Sequence, residues 1–157
     1  MGTEGEGSAG QARGERWRFE GVASSTRLDR QREKITEGAL RAVARTGHVD
    51  LVVAHQERDV VVGQIEACEL EGGMLRVRGR LQAGSPGAEE VRQRLQRGER
   101  LGLSLGGKVN RAHWGWDENT EGPVRHLDEV SVEHVAVCRA QEAVNPDVRV
   151  RLVEDEG

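Results

Sequence analysis

Leu101-Gly102-Leu103-Ser104-Leu105-Gly106-Gly107 is a run of leucines and glycines that contains a single serine. A buried hydroxyl without a partner costs about 1–3 kcal/mol on protein mutational scales, so serine is uncommon in such a run. Glycines on both sides allow backbone amides to approach a group bound at that hydroxyl. The pattern predicts a strand on which Ser104 is placed for chemistry, with its base supplied from elsewhere in the chain.

Composition narrows the class of protein. The 157 residues suit one domain, and aromatic residues make up only 3% of them. The 21 glycines favour short strands and turns over long helices. A formal net charge of -4 argues against a dedicated nucleic-acid-binding protein. No apolar run approaches the roughly 18 residues that a membrane span needs.

The two cysteines and the chain ends carry further expectations. Cys68 and Cys138 have no C-x-x-C partner, so we expect no zinc, redox or other cofactor site and an intracellular, reducing compartment. Residues 1–15 are rich in Gly, Glu and Ser and contain no apolar signal segment, which predicts a disordered N-terminal tail. The folded domain is expected over 16–153, followed by an acidic C-terminal tail at 154–157.

The hydrophobic pattern predicts a mainly β fold with helices (α+β). Strands are expected over 16–23, 49–55, 60–70, 74–81, 101–111, 126–138 and 148–153. Helices are expected over 36–45 and 86–97, with Thr36 and Ser85 as N-caps. The stretch 112–124, which contains Trp114 and Trp116, is predicted as a polar loop. The tally indicates about seven antiparallel strands in a closed or nearly closed barrel, with two or more helices on its surface.

A serine nucleophile needs a base, and the chain offers five histidines: His48, His55, His113, His126 and His134. His55 ends an apolar strand and is therefore held on a rigid element. His134 lies within a strand, where its imidazole is expected to have a buried partner. Each of these residues alone could be an ordinary strand residue, and Ser104 could be a small side chain at a tight crossing. The hypothesis rests on their joint presence.

The ordered set of elements resembles the prohead (capsid maturation) proteases of tailed phages, which are related to the herpesvirus assemblins. The resemblance spans roughly residues 20 to 150. Its features are Gly21-Val22-Ala23, a charged loop with Asp29, the strand ending in His55, the strand 75–81, Gly102-Leu103-Ser104-Leu105-Gly106, Glu129-Val130-Ser131-Val132 and the turn at Asn145-Pro146. A match to the G-x-S-x-G elbow of α/β-hydrolases is set aside, because a helix precedes the serine strand and a strand-like segment follows the serine.

The resemblance implies an assemblin-like barrel and a serine endopeptidase in which Ser104 is the nucleophile and His55 the general base. The third catalytic member is His134, in His134-Val135-Ala136-Val137-Cys138, with Glu129 as the alternative. The two lie five residues apart, so in an unbulged strand they face opposite sides of the sheet. The resemblance implies no cofactor or metal, and the single arginine of Arg139-Ala140-Gln141-Glu142 leaves the oxyanion hole unassigned.

The same resemblance implies substrates and a place of action. The expected substrates are the major capsid protein, the scaffold protein and the protease itself, inside the assembling procapsid in the host cytoplasm. A homo-oligomer, such as a dimer, is expected, without nucleic-acid or membrane partners. The alternative is a catalytically inactive barrel that acts as a capsid-assembly or scaffold-binding module. A nucleic-acid-binding barrel is disfavoured by the acidic charge and the scarcity of stacking aromatics.

Overall fold

A computed structural model describes residues 17–55, 58–117 and 120–153. The predicted tails at 1–15 and 154–157 lie outside the described residues. The strands are β1 (Arg18–Ser25), β2 (Glu33–Ile35), β3 (Val49–His55), β4 (Arg58–Glu71), β5 (Met74–Leu81), β6 (Leu101–Gly115), β7 (Val124–Arg139) and β8 (Arg149–Leu152). The helices are α1 (Glu37–Ala44) and α2 (Pro86–Gln96), with a 3₁₀ turn at Ala140–Glu142.

All eight strands belong to one sheet, in the order β2-β7-β3-β4-β5-β1-β8, and β6 pairs with the other edge of β7. The prediction of a mainly β fold with two helices is confirmed. The expected closed or nearly closed barrel of about seven antiparallel strands is not confirmed, because the sheet has eight strands, is not closed, and includes the parallel pairs β2–β7 and β3–β7. The missed strand, β2, has only three residues, too few for a period of two to show in the sequence.

Local signals placed both helices correctly. The Thr36 side chain accepts a hydrogen bond from the Ala39 amide at 3.1 Å, and the Ser85 side chain accepts one from the Ala88 amide at 3.4 Å. Both are N-cap bonds that satisfy an otherwise unpaired amide of the first turn. Gly98 follows α2 with φ +87°, a conformation that side-chain-bearing residues avoid.

The loop predicted over 112–124 is shorter than expected, because β6 and β7 continue as a two-stranded ribbon. β6 runs to Gly115 and β7 begins at Val124, with His113 opposite His126 and the two rings stacked 4.8 Å apart. Trp114 and Trp116 are 68% and 74% exposed. The ribbon was not predicted because the end of β6 is mostly exposed on both faces. Its sequence therefore lacks the alternation of apolar and polar residues that marks a half-buried strand.

The hydrophobic core covers one face of the central strands. β6 contributes Leu101 and Leu103, β7 contributes Val135, and β3 contributes Leu51, all almost fully buried. Helices α1 and α2 bury their apolar residues in the same core. Because side chains alternate along a strand, the residues between these core positions project from the opposite face of the sheet.

Candidate active site

Ser104 projects from the face opposite the core. Its neighbours Leu103 and Leu105 turn toward the core, and the serine itself is only partly buried. The hydroxyl therefore does not lie among the leucines that surround it in the sequence. The alternation of β6 separates the two kinds of side chain.

His134 lies beside Ser104 on that same face. In the β6–β7 register Ser104 is opposite Ala136 and Gly106 is opposite His134, which makes Ser104 and His134 diagonal cross-strand neighbours. The imidazole covers Gly106 so closely that a Cβ at that position would lie 2.2 Å from Nε2. The ring thus occupies the space that a side chain at position 106 would fill.

The third strand of the site is β3, which runs parallel to β7. It places Val52 beside Ala136 and Asp50 beside His134, in a row that continues the β6–β7 pairing. His55 is the last residue of β3, and its backbone pairs with Arg58 at the start of β4. The side chain of His55 lies outside the described part of the chain.

Asp59 reaches the site from β4. Its Oδ2 lies 3.8 Å from Nε2 of His134, although its register partner, Ala54, is four residues beyond Asp50. At about 3.3 Å per residue, a flat sheet would separate the two side chains by more than about 10 Å. The paired strands β3 and β4 therefore bend, near Ala54 and Asp59, toward the face that carries Ser104. A bulge between Leu51 and Val52 in the β3–β4 pairing accounts for added bending.

The prediction that the His134 imidazole has a buried partner is wrong. The imidazole is 31% exposed and the Asp59 carboxylate is 50% exposed, so the pair lies at the surface. Asp59 was also missed as a site residue. Its closeness in sequence to His55 was the one available signal, and the bend that brings it to His134 depends on pairing between distant segments.

Glu129 lies far from the serine. An unbulged strand would place Glu129 and His134 on opposite faces, but the register shift between Gly106 and Gly107 inserts Glu133 as an extra residue in β7. That bulge reverses the alternation and places both side chains on one face. Glu129 is nevertheless opposite Arg111, seven residues along β6 from Ser104, which is on the order of 20 Å. The geometry brings together Ser104 and His134 and leaves Glu129 apart.

A groove of about 340 Å³ follows β6 beside Ser104. One wall is β6 from Leu103 to Val109, and the other includes the end of β1 and the loop that contains Asp29. A larger cavity of about 670 Å³ lies over β1, β4, β5 and β8, but its lining contains neither a serine nor a histidine. The smaller groove is the one that fits a reaction at Ser104.

The cysteines are poor nucleophiles in this environment. Burial raises the pKa of the Cys68 thiol, and burial together with nearby Glu142 raises the pKa of the Cys138 thiol. A thiol reacts as its thiolate, so a raised pKa lowers its reactivity near neutral pH. Ser104 is the better candidate nucleophile.

Within residues 17–55, 58–117 and 120–153, His, Cys, Asp and Glu side chains form no group of three suited to a metal ion. In the same part of the chain, neither helix has the length and apolar character needed to cross a membrane.

A serine that lines a groove, with a histidine beside it on the same face of the sheet, forms part of the arrangement that serine proteases use. The chain belongs to the caudovirus prohead serine protease family, whose family model matches residues 6–156 of the 157. This membership confirms the family resemblance read from the sequence. A search of the curated proteins found no match to the chain.

Proposed function

We propose that this protein is a serine endopeptidase of phage procapsid maturation, with Ser104 as its nucleophile. The observation that carries the proposal is the position of the His134 imidazole, which lies over Gly106 and diagonally across from Ser104. Membership of the prohead serine protease family supplies the reaction class.

Three residues share the chemistry. His55 accepts the proton of the Ser104 hydroxyl as Oγ attacks the peptide carbonyl, and then donates that proton to the leaving amine. His134 holds the His55 imidazole in position and stabilises its charged form. Water then attacks the acyl group on Ser104 and gives a proton to His55, which returns it to Ser104 Oγ as the carboxylic acid product leaves. What supports the role of His55 is its backbone position at the end of β3, next to Ala54, whose cross-strand partner Asp59 contacts His134.

The substrate binds as an extended strand along β6. Within the described residues β6 pairs with β7 alone, so its second edge retains backbone groups free to pair with a peptide. That edge carries Ser104 and borders the 340 Å³ groove. Strand addition of this kind aligns a peptide backbone by its main-chain hydrogen bonds and leaves alternate side chains to enter pockets.

The substrates are the major capsid protein and the scaffold protein, and the protease also cleaves itself. Cleavage takes place inside the assembling procapsid in the host cell, where a homo-oligomer of the protease is active. Membership of the prohead serine protease family supports the procapsid as the place of action, and a groove able to accept an extended segment supports a peptide substrate.

A fluorophosphonate probe tests the chemistry directly, because it reacts with activated serines. We expect labelling of Ser104, its loss in Ser104→Ala, and a decrease of about 10²-fold or more in His55→Ala. Ser131→Ala is the matched control, since Ser131 is an exposed serine on neighbouring β7. Full labelling of Ser104→Ala, or labelling of Ser131, would overturn the assignment of the nucleophile.

Co-expression with the capsid and scaffold proteins tests the biological role. The wild-type protein should shorten both substrates, and Ser104→Ala should leave them intact. If Ser104→Ala processes them unchanged, the protease proposal is wrong. If neither the wild type nor Ser104→Ala processes the two substrates, while both of these forms bind the scaffold protein, the chain is a non-catalytic assembly module instead.

A further inference from the structure

We propose that Asp59 is a positioning residue that acts on the reaction through His134. The proposal rests on the protease function argued above. Its basis is the contact between the Asp59 carboxylate and the His134 imidazole, 3.8 Å from Oδ2 to Nε2.

Two groups confine the His134 ring. Gly106 lies directly beneath it and allows it to approach the backbone of β6, because no side chain occupies that space. Asp59 approaches the same nitrogen from the β3–β4 hairpin. A ring held between a backbone surface and a carboxylate samples fewer orientations than one held by its own strand alone, which favours a single orientation beside Ser104.

Asp59 also supplies charge where a His-His pair lacks it. A neutral imidazole in the third position stabilises a charged His55 less than a carboxylate would. Asp59 places a carboxylate beside His134, so its negative charge acts on His55 through His134. Among the described acidic residues, Asp59 is the one within 4 Å of the His134 ring nitrogens, while the nearby Asp50 carboxylate accepts a hydrogen bond from Gln64 at 3.5 Å.

The contact also fixes the hairpin that carries the base. Asp59 pairs with Ala54 and Arg58 pairs with His55, so the backbone of Asp59 lies next to the end of β3. Holding Asp59 against His134 holds that end of the hairpin over the catalytic face. One interaction thereby sets both the ring of His134 and the chain segment of His55.

Rates of fluorophosphonate labelling test the inference with the full-length chain. We expect Asp59→Asn to lower the maximal inactivation rate by about twofold to fivefold, the size expected when a partly exposed carboxylate–imidazole contact is lost, with the probe affinity unchanged. Asp59→Glu keeps the charge and should restore most of the rate. Glu66→Gln is the matched control, since Glu66 lies on the same strand, is 43% exposed and contacts Arg80 at 3.8 Å.

The dependence on His134 separates positioning from general stability. In a His134→Gln background, Asp59→Asn should cause no additional loss of rate, because the group through which it acts is gone. The thermal midpoint of Asp59→Asn should match that of the wild type. Should Asp59→Asn fail to fold, Asp59→Ala serves as the second neutral variant.

The outcomes are distinct from those of the protease proposal. If wild-type Ser104 is labelled and Asp59→Asn and Asp59→Ala are labelled at the same rate, only the role of Asp59 is wrong. The role of Asp59 would also be overturned if Glu66→Gln lost as much labelling rate as Asp59→Asn. A further loss of labelling rate when Asp59→Asn is added to His134→Gln would overturn it as well. If wild-type Ser104 is not labelled at all, the protease proposal itself fails.

Discussion

The imidazole of His134 lies over Gly106 so closely that no Cβ fits between them, with 2.2 Å left to Nε2. This contact explains one glycine of the apolar run around Ser104. Gly106 is two residues from the serine on the same face of β6, so the space it leaves open is where a histidine can stand beside the hydroxyl. Gly106 is not among the glycines with positive φ, so its backbone conformation does not require a glycine. The space for the His134 ring does.

We expect Gly106→Ala to reduce fluorophosphonate labelling of Ser104 strongly, by about tenfold or more, because the new methyl group displaces the His134 ring. The clash involves the end of a partly exposed side chain that can swing away, so the free energy of unfolding should change by less than about 1 kcal/mol. Labelling rates and urea denaturation measure the two effects.

Gly38→Ala is the matched control for that substitution. Gly38 lies in α1, and a Cβ there meets nothing within 4 Å. Alanine favours a helix over glycine, so this variant should be more stable by up to about 1 kcal/mol and label normally. Normal labelling of Gly106→Ala would show that His134 does not need its observed position.

His134 and Glu129 should respond differently to substitution. We expect His134→Ala to lower the labelling rate by about 10²-fold, since removal of a group that orients a base has effects of this order. Glu129→Ala should label at the wild-type rate, because Glu129 pairs with Arg111 far along the ribbon. A large loss in Glu129→Ala with a normal rate in His134→Ala would reverse the assignment.

A polar network near the groove should contribute to stability. Asn145 is buried, accepts hydrogen bonds from the Ser25 hydroxyl at 3.2 Å and from the Asp147 amide at 2.9 Å, and donates one to the Ser25 carbonyl at 3.3 Å. Asn145→Ala leaves the Asp147 amide and the Ser25 carbonyl without this partner, while the Ser25 hydroxyl keeps the Asp147 carboxylate at 2.6 Å, so the free energy of unfolding in urea should fall by about 1–3 kcal/mol. Asn110→Ala, which removes an exposed bond to Ser131, should change stability by less than about 0.5 kcal/mol.

Asp29 should make stability depend on pH. Burial raises the pKa of its carboxyl above the ordinary 3.8, although the amides of Gln31 and Glu33 donate hydrogen bonds to it and oppose the change. Between the ordinary and raised values the folded state binds more protons than the unfolded chain, so Asp29 lowers stability as pH rises through that window.

The variant Asp29→Asn tests this pH dependence. The amide oxygen keeps an acceptor for both backbone amides and carries no charge. In urea denaturation the variant should therefore be more stable than the wild type near neutral pH, with the difference shrinking below the ordinary value of 3.8. Glu69→Gln, at an exposed position of β4, should show no such gain. A constant difference at all pH values would contradict the assigned cause.

Backbone methylation of a peptide substrate should reveal strand addition at β6. If the substrate pairs with the free edge, amides at alternate residues donate to β6 and those between them do not. Methylation of one alternate set should raise KM, and methylation of the other set should leave it near that of the unmodified peptide. Equal effects of both sets would argue against pairing along this edge.

Much of the fold was predictable because its signals are local. The N-caps Thr36 and Ser85, the strand Val49–His55 and the hairpin turn after Glu71 depend on residues within a few positions of one another. The bounds of β6 and β7 were less accurate, since an exposed ribbon carries no alternation. Closure of the barrel was not predictable, because it depends on whether β6 pairs with β1, which lies about 80 residues away in the chain.

The sequence by itself determined the alternation that sets Ser104 apart from its leucines, the candidate histidines and the order in which they follow one another. Only the tertiary structure decided which of them lie together. The Glu133 bulge reverses the facing of β7, and the bend of the β3–β4 hairpin brings Asp59 to His134. Bulges and bends arise from the register between paired strands, a property of two distant segments at once that no single stretch of residues encodes.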